Sequence, residues 1–160
     1  MKWRRTVVQG DFVVSNDANA EFTTVLGSCV AVCLHDPVAR VGGMNHFLLA
    51  APPPGQSAAA TVLSAGRYGS ESIPALIRML EKRGAQTDRM QARIYGGAEN
   101  PGRQNQAGPG NAAMARAELS RRGITVIDEK VGGHLARRID FAPSTGVTRI
   151  TISDRTEEAA

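Results

Sequence analysis

Five consecutive apolar residues, Val30-Ala-Val-Cys-Leu34, constrain the fold of this chain more than any other segment. So short an apolar run, preceded by Gly27-Ser28 and followed by Asp36-Pro37, is typical of a buried β-strand. A second extended pattern covers Val41 to Leu49, beyond the turn signal at Asp36-Pro37. The two segments together predict an antiparallel hairpin.

Other segments predict a mixed sheet and two main helices. Strand-like composition recurs at 6–14, 22–26, 91–95, 124–127, 139–141 and 147–152. A helix is predicted where apolar residues recur at helical spacing and Gly84 follows, at Ile73, Leu76, Ile77 and Leu80. A second helix is predicted from about Ala112 to Arg122, with Asn111 as its N-cap. Segments 50–69 and 96–111 are rich in Gly, Pro, Ala or polar residues and predict long loops.

The charge distribution argues against nucleic-acid binding. The net charge is +4, but the basic residues are scattered in short groups and aromatic residues make up only 4% of the chain. A protein that binds single-stranded nucleic acid needs aromatic stacking platforms, which this composition lacks. A mild positive field still favours an acidic partner.

The hydropathy pattern predicts no membrane insertion. No apolar run reaches the roughly 18 residues of a membrane span, and the N-terminal Met1-Lys-Trp-Arg-Arg5 does not lead into a signal sequence. We therefore expect a cytoplasmic protein. Its two cysteines, Cys29 and Cys33, are then expected to be reduced thiols that are buried, bind a metal or act as a nucleophile.

A cysteine before the hairpin turn and a histidine after it form a candidate catalytic pair. If the turn is centred on Pro37-Val38, opposed residues have numbers that sum to 75, as those of Cys29 and His46 do. Directly opposed Cβ atoms lie about 4.5–5.5 Å apart, which brings the thiol and the imidazole within reach of each other. The histidine can then take the thiol proton, and a bend at Gly27-Ser28 leaves backbone N–H groups free to bind an oxyanion.

Plainer interpretations stay open on these residues alone. Cys29 and Cys33 both fit the pattern of small buried hydrophobic residues. A zinc site is a second alternative, although it lacks a second paired cluster, and its candidate ligands are Cys29, Cys33, His35 and His46. The hydroxyl or the carbonyl of Thr23 or Thr24 could hold the second imidazole nitrogen.

Longer motifs carry a resemblance to a known family. The chain resembles CheD, the chemoreceptor glutamine deamidase of bacterial and archaeal chemotaxis, in Thr23-Thr-Val-Leu-Gly-Ser-Cys-Val-Ala-Val-Cys-Leu-His-Asp-Pro37 and Val41-Gly-Gly-Met-Asn-His-Phe-Leu-Leu49. Shorter motifs agree with the family in order and spacing: Arg67-Tyr68-Gly69, Tyr95-Gly-Gly-Ala98, Gly110-Asn111, Gly132-Gly-His134 with Arg137, and Thr145-Gly146. The resemblance covers about residues 7 to 153.

The resemblance implies one domain over residues 1–160, with a flexible tail at 154–160. It implies an α/β (α+β) fold, a layered sandwich with a mixed, largely antiparallel β-sheet flanked by helices, similar to the catalytic domains of deamidating toxins. In the family, the residues matching Cys29, His46 and Thr23 are nucleophile, base and third triad member. Gly27 and Ser28 are expected to shape the oxyanion site.

The resemblance also implies partners and chemistry. The family converts glutamines of methyl-accepting chemotaxis receptors to glutamates, binds the phosphatase CheC, and needs no metal or organic cofactor. One departure concerns the start of the second helix, where the family usually has Gly-x-Arg-Asn but this chain has Gly108-Pro-Gly-Asn111, with Arg103 earlier. The leading hypothesis is deamidation through a Cys-His thioester mechanism that releases ammonia. The alternative is a non-catalytic adaptor that binds receptors or CheC.

Overall fold

The secondary structure consists of strands in two sheets and two α-helices. The computed structural model describes residues 1–55, 66–100, 102, 107–152 and 155–158. The strands are β1 (Trp3–Thr6), β2 (Phe12–Ser15), β3 (Ala20–Leu26), β4 (Val30–Asp36), β5 (Val41–Asn45), β6 (Gln91–Gly96), β7 (Thr125–Val131), β8 (Arg137–Phe141), β9 (Thr148–Ile152) and β10 (Arg155–Glu158). The helices are α1 (Gly69–Lys82) and α2 (Gly108–Arg121), with a 3-10 turn at Thr87–Arg89.

Each sheet has five strands and contains both parallel and antiparallel pairs. The outer sheet has the order β1-β3-β8-β9-β10, in which β1 and β3 are parallel and the other pairs are antiparallel. The inner sheet has the order β2-β5-β4-β6-β7, in which β6 and β7 are parallel and the others antiparallel. The predicted α/β class with mixed, largely antiparallel strands is confirmed. The strands form two sheets, where one was predicted.

Apolar side chains pack on both faces of the inner sheet. The layer between the two sheets includes Phe22, Ile139 and Ile150 from the outer sheet and Ala31, Cys33, Met44 and Tyr95 from the inner sheet. The layer between the inner sheet and the helices includes Val30, Val32, Leu34, Ile73, Leu76, Ile77, Leu80, Ala115 and Leu119. Burial on both faces explains why β4 is an unbroken apolar run rather than an alternating one.

The hairpin formed by β4 and β5 has a different register from the predicted one. Cys33 pairs with Met44, so opposed residues have numbers that sum to 77. The turn has four residues, because the Asp36 carboxylate accepts hydrogen bonds from two N–H groups inside it, at 2.9 and 3.1 Å. The predicted direct opposition of Cys29 and His46 is therefore wrong.

The two predicted helices are both present, but α2 is longer than predicted. The apolar face of α1 is buried as its spacing predicts. α2 begins at Gly108 instead of near Ala112, so the predicted N-cap, Asn111, lies inside the helix and is buried. Proline is tolerated in the first turn of a helix, and Pro109 occupies that place here. Of the helices in the described ranges, none has the length and apolar character needed to cross a membrane.

The predicted loops and tail lie partly outside the described residues. Residues 56–65 of the first loop are outside them, as are residues 101 and 103–106 of the second, which include Arg103. In the predicted tail, the backbone of 155–158 pairs with β9 as an antiparallel strand. Residues 153–154 and 159–160 are outside the described residues.

Candidate active site

Cys29 lies where the chain leaves the outer sheet and enters the inner one. It is the last residue of a link, Gly27–Cys29, between β3 and β4. Only 5% of its surface is exposed. Burial raises the pKa of the thiol above its ordinary value of 9.0, although the residue's own backbone N–H opposes the shift by hydrogen bonding to the sulfur. Cys29 is therefore a neutral thiol at rest, and a base is needed to ionise it.

The carbonyl groups of this link are all bound by the chain that follows β6. The first and third carbonyls accept hydrogen bonds from the N–H groups of Ala98 and Gly97, both at 2.9 Å. The Ser28 carbonyl accepts one from Nδ2 of Asn111 at 3.0 Å. A trans peptide directs its C=O and N–H to opposite sides. The Cys29 N–H therefore points away from Asn111, and the described residues offer it no carbonyl acceptor.

His46 follows β5 and is held through one ring nitrogen. Its Nδ1 lies 3.0 Å from the Val7 carbonyl oxygen and 2.8 Å from Oγ1 of Thr24. A carbonyl only accepts hydrogen bonds, so this contact assigns the proton to Nδ1. The other nitrogen, Nε2, is buried and has no hydrogen-bond partner among the described residues. It is the nitrogen that can act as a base.

The ionisation of His46 agrees with this role. Burial lowers the pKa of His46 below its ordinary value of 6.5, although the hydrogen bond to the Val7 carbonyl opposes the shift. The imidazole is therefore neutral near pH 7. A neutral imidazole with a protonated Nδ1 leaves the Nε2 lone pair free to accept a proton.

The threonine that contacts His46 is Thr24. Its hydroxyl donates to the Val7 carbonyl at 2.7 Å, which leaves an oxygen lone pair directed at Nδ1. Thr23, the residue assigned by family resemblance, faces the other side of β3, because successive side chains alternate along a strand. Its hydroxyl donates to Asp140 at 2.8 Å. The structure thus brings Thr23 to Asp140 and not to His46.

Cys29 and His46 occupy diagonal positions on one face of the inner sheet. They flank Val30 and Phe47, whose backbones exchange two hydrogen bonds of 3.1 and 3.0 Å. Val30 and Phe47 pack toward the helices. Their chain neighbours therefore point toward the outer sheet, where Cys29 packs. Diagonal neighbours in an antiparallel pair are about 7–8 Å apart at Cα and closer at Cβ, so both side chains can reach one substrate group.

The other cysteine and histidines lie in separate environments. Cys33 is fully buried between the sheets, and burial raises its pKa to about 12. His35 places Nε2 3.0 Å from the Ser144 carbonyl oxygen. His134 is exposed, with Nδ1 3.1 Å from the Glu99 carbonyl oxygen. Within the described ranges, no three His, Cys, Asp or Glu side chains are grouped so as to hold a metal ion.

A mainly apolar cavity lies beside the link. Its volume is about 460 Å³, and its walls include Leu49, Tyr68 and the three prolines at 52–54. Asn111 also lines it, and this side chain donates to the Ser28 carbonyl. Asn111 therefore both lines the cavity and contacts the link Gly27–Cys29.

Two contacts of the site were not predicted from the sequence, and a third was predicted only as one of two candidates. Val7 acts through its backbone carbonyl, which no side-chain pattern identifies. Asn111 was predicted only as a helix cap. Its position just before an alanine-rich segment was the one sequence signal that drew attention to it. Thr24 was one of two candidates, and strand alternation alone leaves open which of the two faces the imidazole.

Known proteins are similar to this chain over most of its length. The family model described as CheD chemotactic sensory transduction matches residues 50–152. A probable chemoreceptor glutamine deamidase CheD of Sinorhizobium medicae (strain WSM419) is 46% identical over 143 residues, or 89% of this chain and 76% of the relative. A protein of the same name from Rhizobium meliloti (strain 1021) is 46% identical over 145 residues, with 89% and 76% of the two chains covered.

A solved structure shares the fold at much lower sequence identity. The crystal structure of the Bacillus licheniformis hypothetical protein YfiH matches 77% of this chain and 51% of its own, with a TM-score of 0.50 and 14% identity. That likeness bears on the fold alone. The family match and the 46% identical relatives bear on descent, because they cover more than half of the chain. The chain belongs to the CheD family of chemotactic sensory transduction proteins.

Proposed function

We propose that this chain is a chemoreceptor glutamine deamidase that converts selected receptor glutamines to glutamates through a Cys29 thioester. Relatives that are 46% identical over most of the chain carry that name. The observation that supports the chemistry most directly is the His46 ring, whose Nδ1 is held by Val7 while Nε2 stays unpartnered among the described residues. A base of this kind on the same face as a thiol suits acyl transfer.

The first half of the reaction forms the thioester. His46 Nε2 takes the proton from Cys29 Sγ, and the sulfur attacks the carboxamide carbon of a receptor glutamine. The resulting oxyanion accepts hydrogen bonds from backbone N–H groups of the link around Ser28, among them the N–H of Cys29. The C–N bond then breaks, the imidazolium gives its proton to the departing nitrogen, and ammonia leaves.

The second half of the reaction hydrolyses the thioester. A water molecule gives a proton to Nε2 of His46 as its oxygen attacks the thioester carbon. The C–S bond breaks, the sulfur of Cys29 recovers the proton from the imidazolium, and the product is glutamate. The two halves sum to amide plus water giving carboxylic acid plus ammonia, with the enzyme unchanged.

Two threonines have different proposed roles. Thr24 orients the base, because its hydroxyl and the Val7 carbonyl both lie against Nδ1 of His46. Thr23, the triad member implied by resemblance, is proposed to act indirectly, through the strand it shares with Thr24 and its hydrogen bond to Asp140.

The proposed partners follow from the family. The substrate is a glutamine on the cytoplasmic helices of a methyl-accepting chemotaxis receptor. The net charge of +4 suits an acidic partner. Binding of a CheC-type phosphatase is a further proposal, which a pull-down with purified CheC would test directly.

Mass spectrometry of a receptor fragment tests the proposed activity. We expect incubation of a purified receptor cytoplasmic fragment with this protein to raise the mass of selected peptides by about one dalton each, as glutamine becomes glutamate by acyl transfer to water. Ammonia should appear in equal amount. The Cys29→Ala variant should leave the fragment unchanged, and Cys33→Ala serves as the matched control.

The adaptor alternative predicts a different result from the same experiment. A non-catalytic protein would bind the receptor fragment without changing its mass, and the wild type and Cys29→Ala would then be indistinguishable. Stoichiometric zinc in the purified protein, lost in Cys29→Ala, would favour the metal site instead. Either result would reject the thioester mechanism.

A further inference from the structure

We infer that Asn111 is a positioning residue that fixes the Ser28–Cys29 peptide, so that the Cys29 N–H faces the reacting carbonyl group. The inference rests on the proposed function, since it concerns the oxyanion formed on the same cysteine. In this inference, a side chain of α2 sets the orientation of a backbone hydrogen-bond donor in the active site. Asn111 itself touches no reacting atom.

Asn111 binds both chain segments that carry the candidate pair. Its side-chain nitrogen Nδ2 donates to the Ser28 carbonyl at 3.0 Å and to the Leu48 carbonyl at 2.9 Å. Ser28 immediately precedes Cys29, and Leu48 lies two residues after His46. The residue is only 1% exposed, so water does not compete for these bonds. One amide group therefore ties the nucleophile link to the segment that carries the base.

The first turn of α2 is packed so that this amide reaches the link. Gly108 lies directly against the chain after β6, where an added Cβ would be 2.4 Å from the Ala98 carbonyl oxygen and 2.5 Å from that of Gly97. The same two residues bind the other carbonyls of the link through their N–H groups. Asn111 thus completes a set of three donors, one for each carbonyl of the link.

Because of the peptide geometry, the hydrogen bond from Asn111 to the Ser28 carbonyl orients one particular N–H, that of Cys29. The Ser28 carbonyl and the Cys29 N–H belong to a single planar trans peptide, so fixing one direction fixes the other. Asparagine is suited to the position because one nitrogen offers two N–H donors, whereas serine offers a single donor and aspartate none. Loss of the amide would leave two buried carbonyls without this donor and release the rotation of the peptide.

The test combines receptor deamidation with the pH dependence of Cys29 alkylation. We expect Asn111→Ala to lower kcat by about tenfold or more with little change in KM. The misplaced N–H would have bound the oxyanion, which forms in the transition state and not in the bound substrate. Cys29 alkylation by iodoacetamide, followed by peptide mapping, should move to higher pH, because its N–H no longer stays against the sulfur. Asn111→Ser, which keeps one donor, should lie between the wild type and Asn111→Ala.

Glu118→Gln is the matched control. Glu118 is buried on the same helix and pairs with Arg121 and Arg122, away from the link. This variant should lower the melting temperature without moving kcat or the alkylation profile. If Asn111 had only a structural role, Asn111→Ala would also lower the melting temperature without changing kcat or the alkylation profile.

The outcomes separate this inference from the proposed activity. Folded Asn111→Ala and Asn111→Ser with the kcat and alkylation profile of the wild type would overturn the inference, and so would failure of both variants to fold. If the wild type releases no ammonia, the proposed function fails. The alkylation profiles still decide whether Asn111 orients the Cys29 peptide.

Discussion

At the scale of single residues, the surroundings of the two sulfurs decide their roles. Cys33 is fully enclosed between the sheets, and its pKa is raised to about 12. Cys29 lies at the edge of the same layer, on the same face as an imidazole whose Nε2 lacks a partner among the residues described. The first sulfur is therefore suited to packing and the second to chemistry.

Replacement of each cysteine by alanine should separate these roles. Cys29→Ala is expected to reduce deamidation by roughly 10³-fold or more, because no other thiol in the chain is placed to attack. Cys33→Ala should keep activity and lose about 1 kcal/mol of the free energy of unfolding, through the small cavity it creates. Ammonia release and urea unfolding measure the two effects. Loss of activity in Cys33→Ala alone would contradict the assignment.

The two adjacent threonines should differ in their effect on the rate. Thr24→Val removes the hydroxyl beside Nδ1 of His46 with little change in shape, and we expect kcat to fall by about tenfold as the imidazole loses orientation. Thr23→Val removes a hydrogen bond to Asp140, which keeps a contact with Arg138 at 3.2 Å. Its kcat should stay within about threefold of the wild type. A larger loss in Thr23→Val would support the direct triad role implied by family resemblance.

The acid limit of activity should lie below pH 6.5. The proposed base, His46, must be neutral to accept the thiol proton, so activity should be lost as pH falls through the pKa of its imidazole. Burial lowers that pKa below 6.5, which moves the acid limb of kcat/KM to lower pH. The pH profile of kcat/KM for receptor deamidation measures it. An acid limb centred above pH 6.5 would mean that another group titrates.

At the scale of elements, the link Gly27–Cys29 is held by the connection between β6 and α2. Gly96 takes φ +105° at the end of β6, and an added Cβ there would lie 2.2 Å from the Cys29 carbonyl oxygen. Gly97, the next residue, donates its N–H to that same carbonyl. Glycine is needed at Gly96 both for its backbone conformation and for this close approach.

Gly96→Ala should therefore affect stability and catalysis together. The new methyl group must displace the Cys29 carbonyl, so we expect a loss of about 1–3 kcal/mol in the free energy of unfolding and a fall in kcat. Gly84→Ala is the matched control, since Gly84 has φ +94° with nothing within 4 Å of an added Cβ. It should lose stability through backbone strain and keep the kcat of the wild type. Equal kcat in both variants would show that Gly96 does not support the link.

Some of these elements could be predicted from the sequence, and others could not. The apolar spacing of α1 and the apolar run of β4 specify their structures because burial alone decides both. The start of α2 was missed because glycine and proline usually mark loops, whereas Gly108 is required there by close packing. The register of the hairpin was missed because the side chain of Asp36 lengthens its turn. Tertiary contacts and a side-chain hydrogen bond overrode the local pattern in these two cases.

At the scale of the whole molecule, the candidate site lies where the chain crosses between the two sheets. β3 belongs to the outer sheet and β4 to the inner one, so the link Gly27–Cys29 is in neither ladder. A residue within a ladder would donate its N–H to a carbonyl of a neighbouring strand. The crossing leaves the N–H of Cys29 free of such a bond and keeps its thiol on the same face of the inner sheet as the histidine that follows β5.

Acid unfolding should depend strongly on Asp36, which joins the hairpin turn to the connection between α1 and β6. Its buried carboxylate accepts hydrogen bonds from Arg89 and from the N–H of Gln86, besides the two N–H groups of the turn. Burial alone would raise the pKa of Asp36, but these donors outweigh it and lower the pKa from 3.8 to about 2. A lowered carboxyl pKa stabilises the fold above pH 4, and that stability is lost as pH falls toward 2.

We expect this group to contribute about 2 kcal/mol to the free energy of unfolding near pH 7, from the shift of its pKa. Urea unfolding between pH 7 and pH 2 measures the contribution. Asp36→Asn keeps the acceptor for the turn but removes the charge, so it should be less stable at pH 7 and lose less stability on acidification. Glu21→Gln, which breaks an exposed pair with Arg4, should cost under about 1 kcal/mol. If both variants follow the wild-type pH dependence, Asp36 does not link the hairpin to the helical layer through its charge.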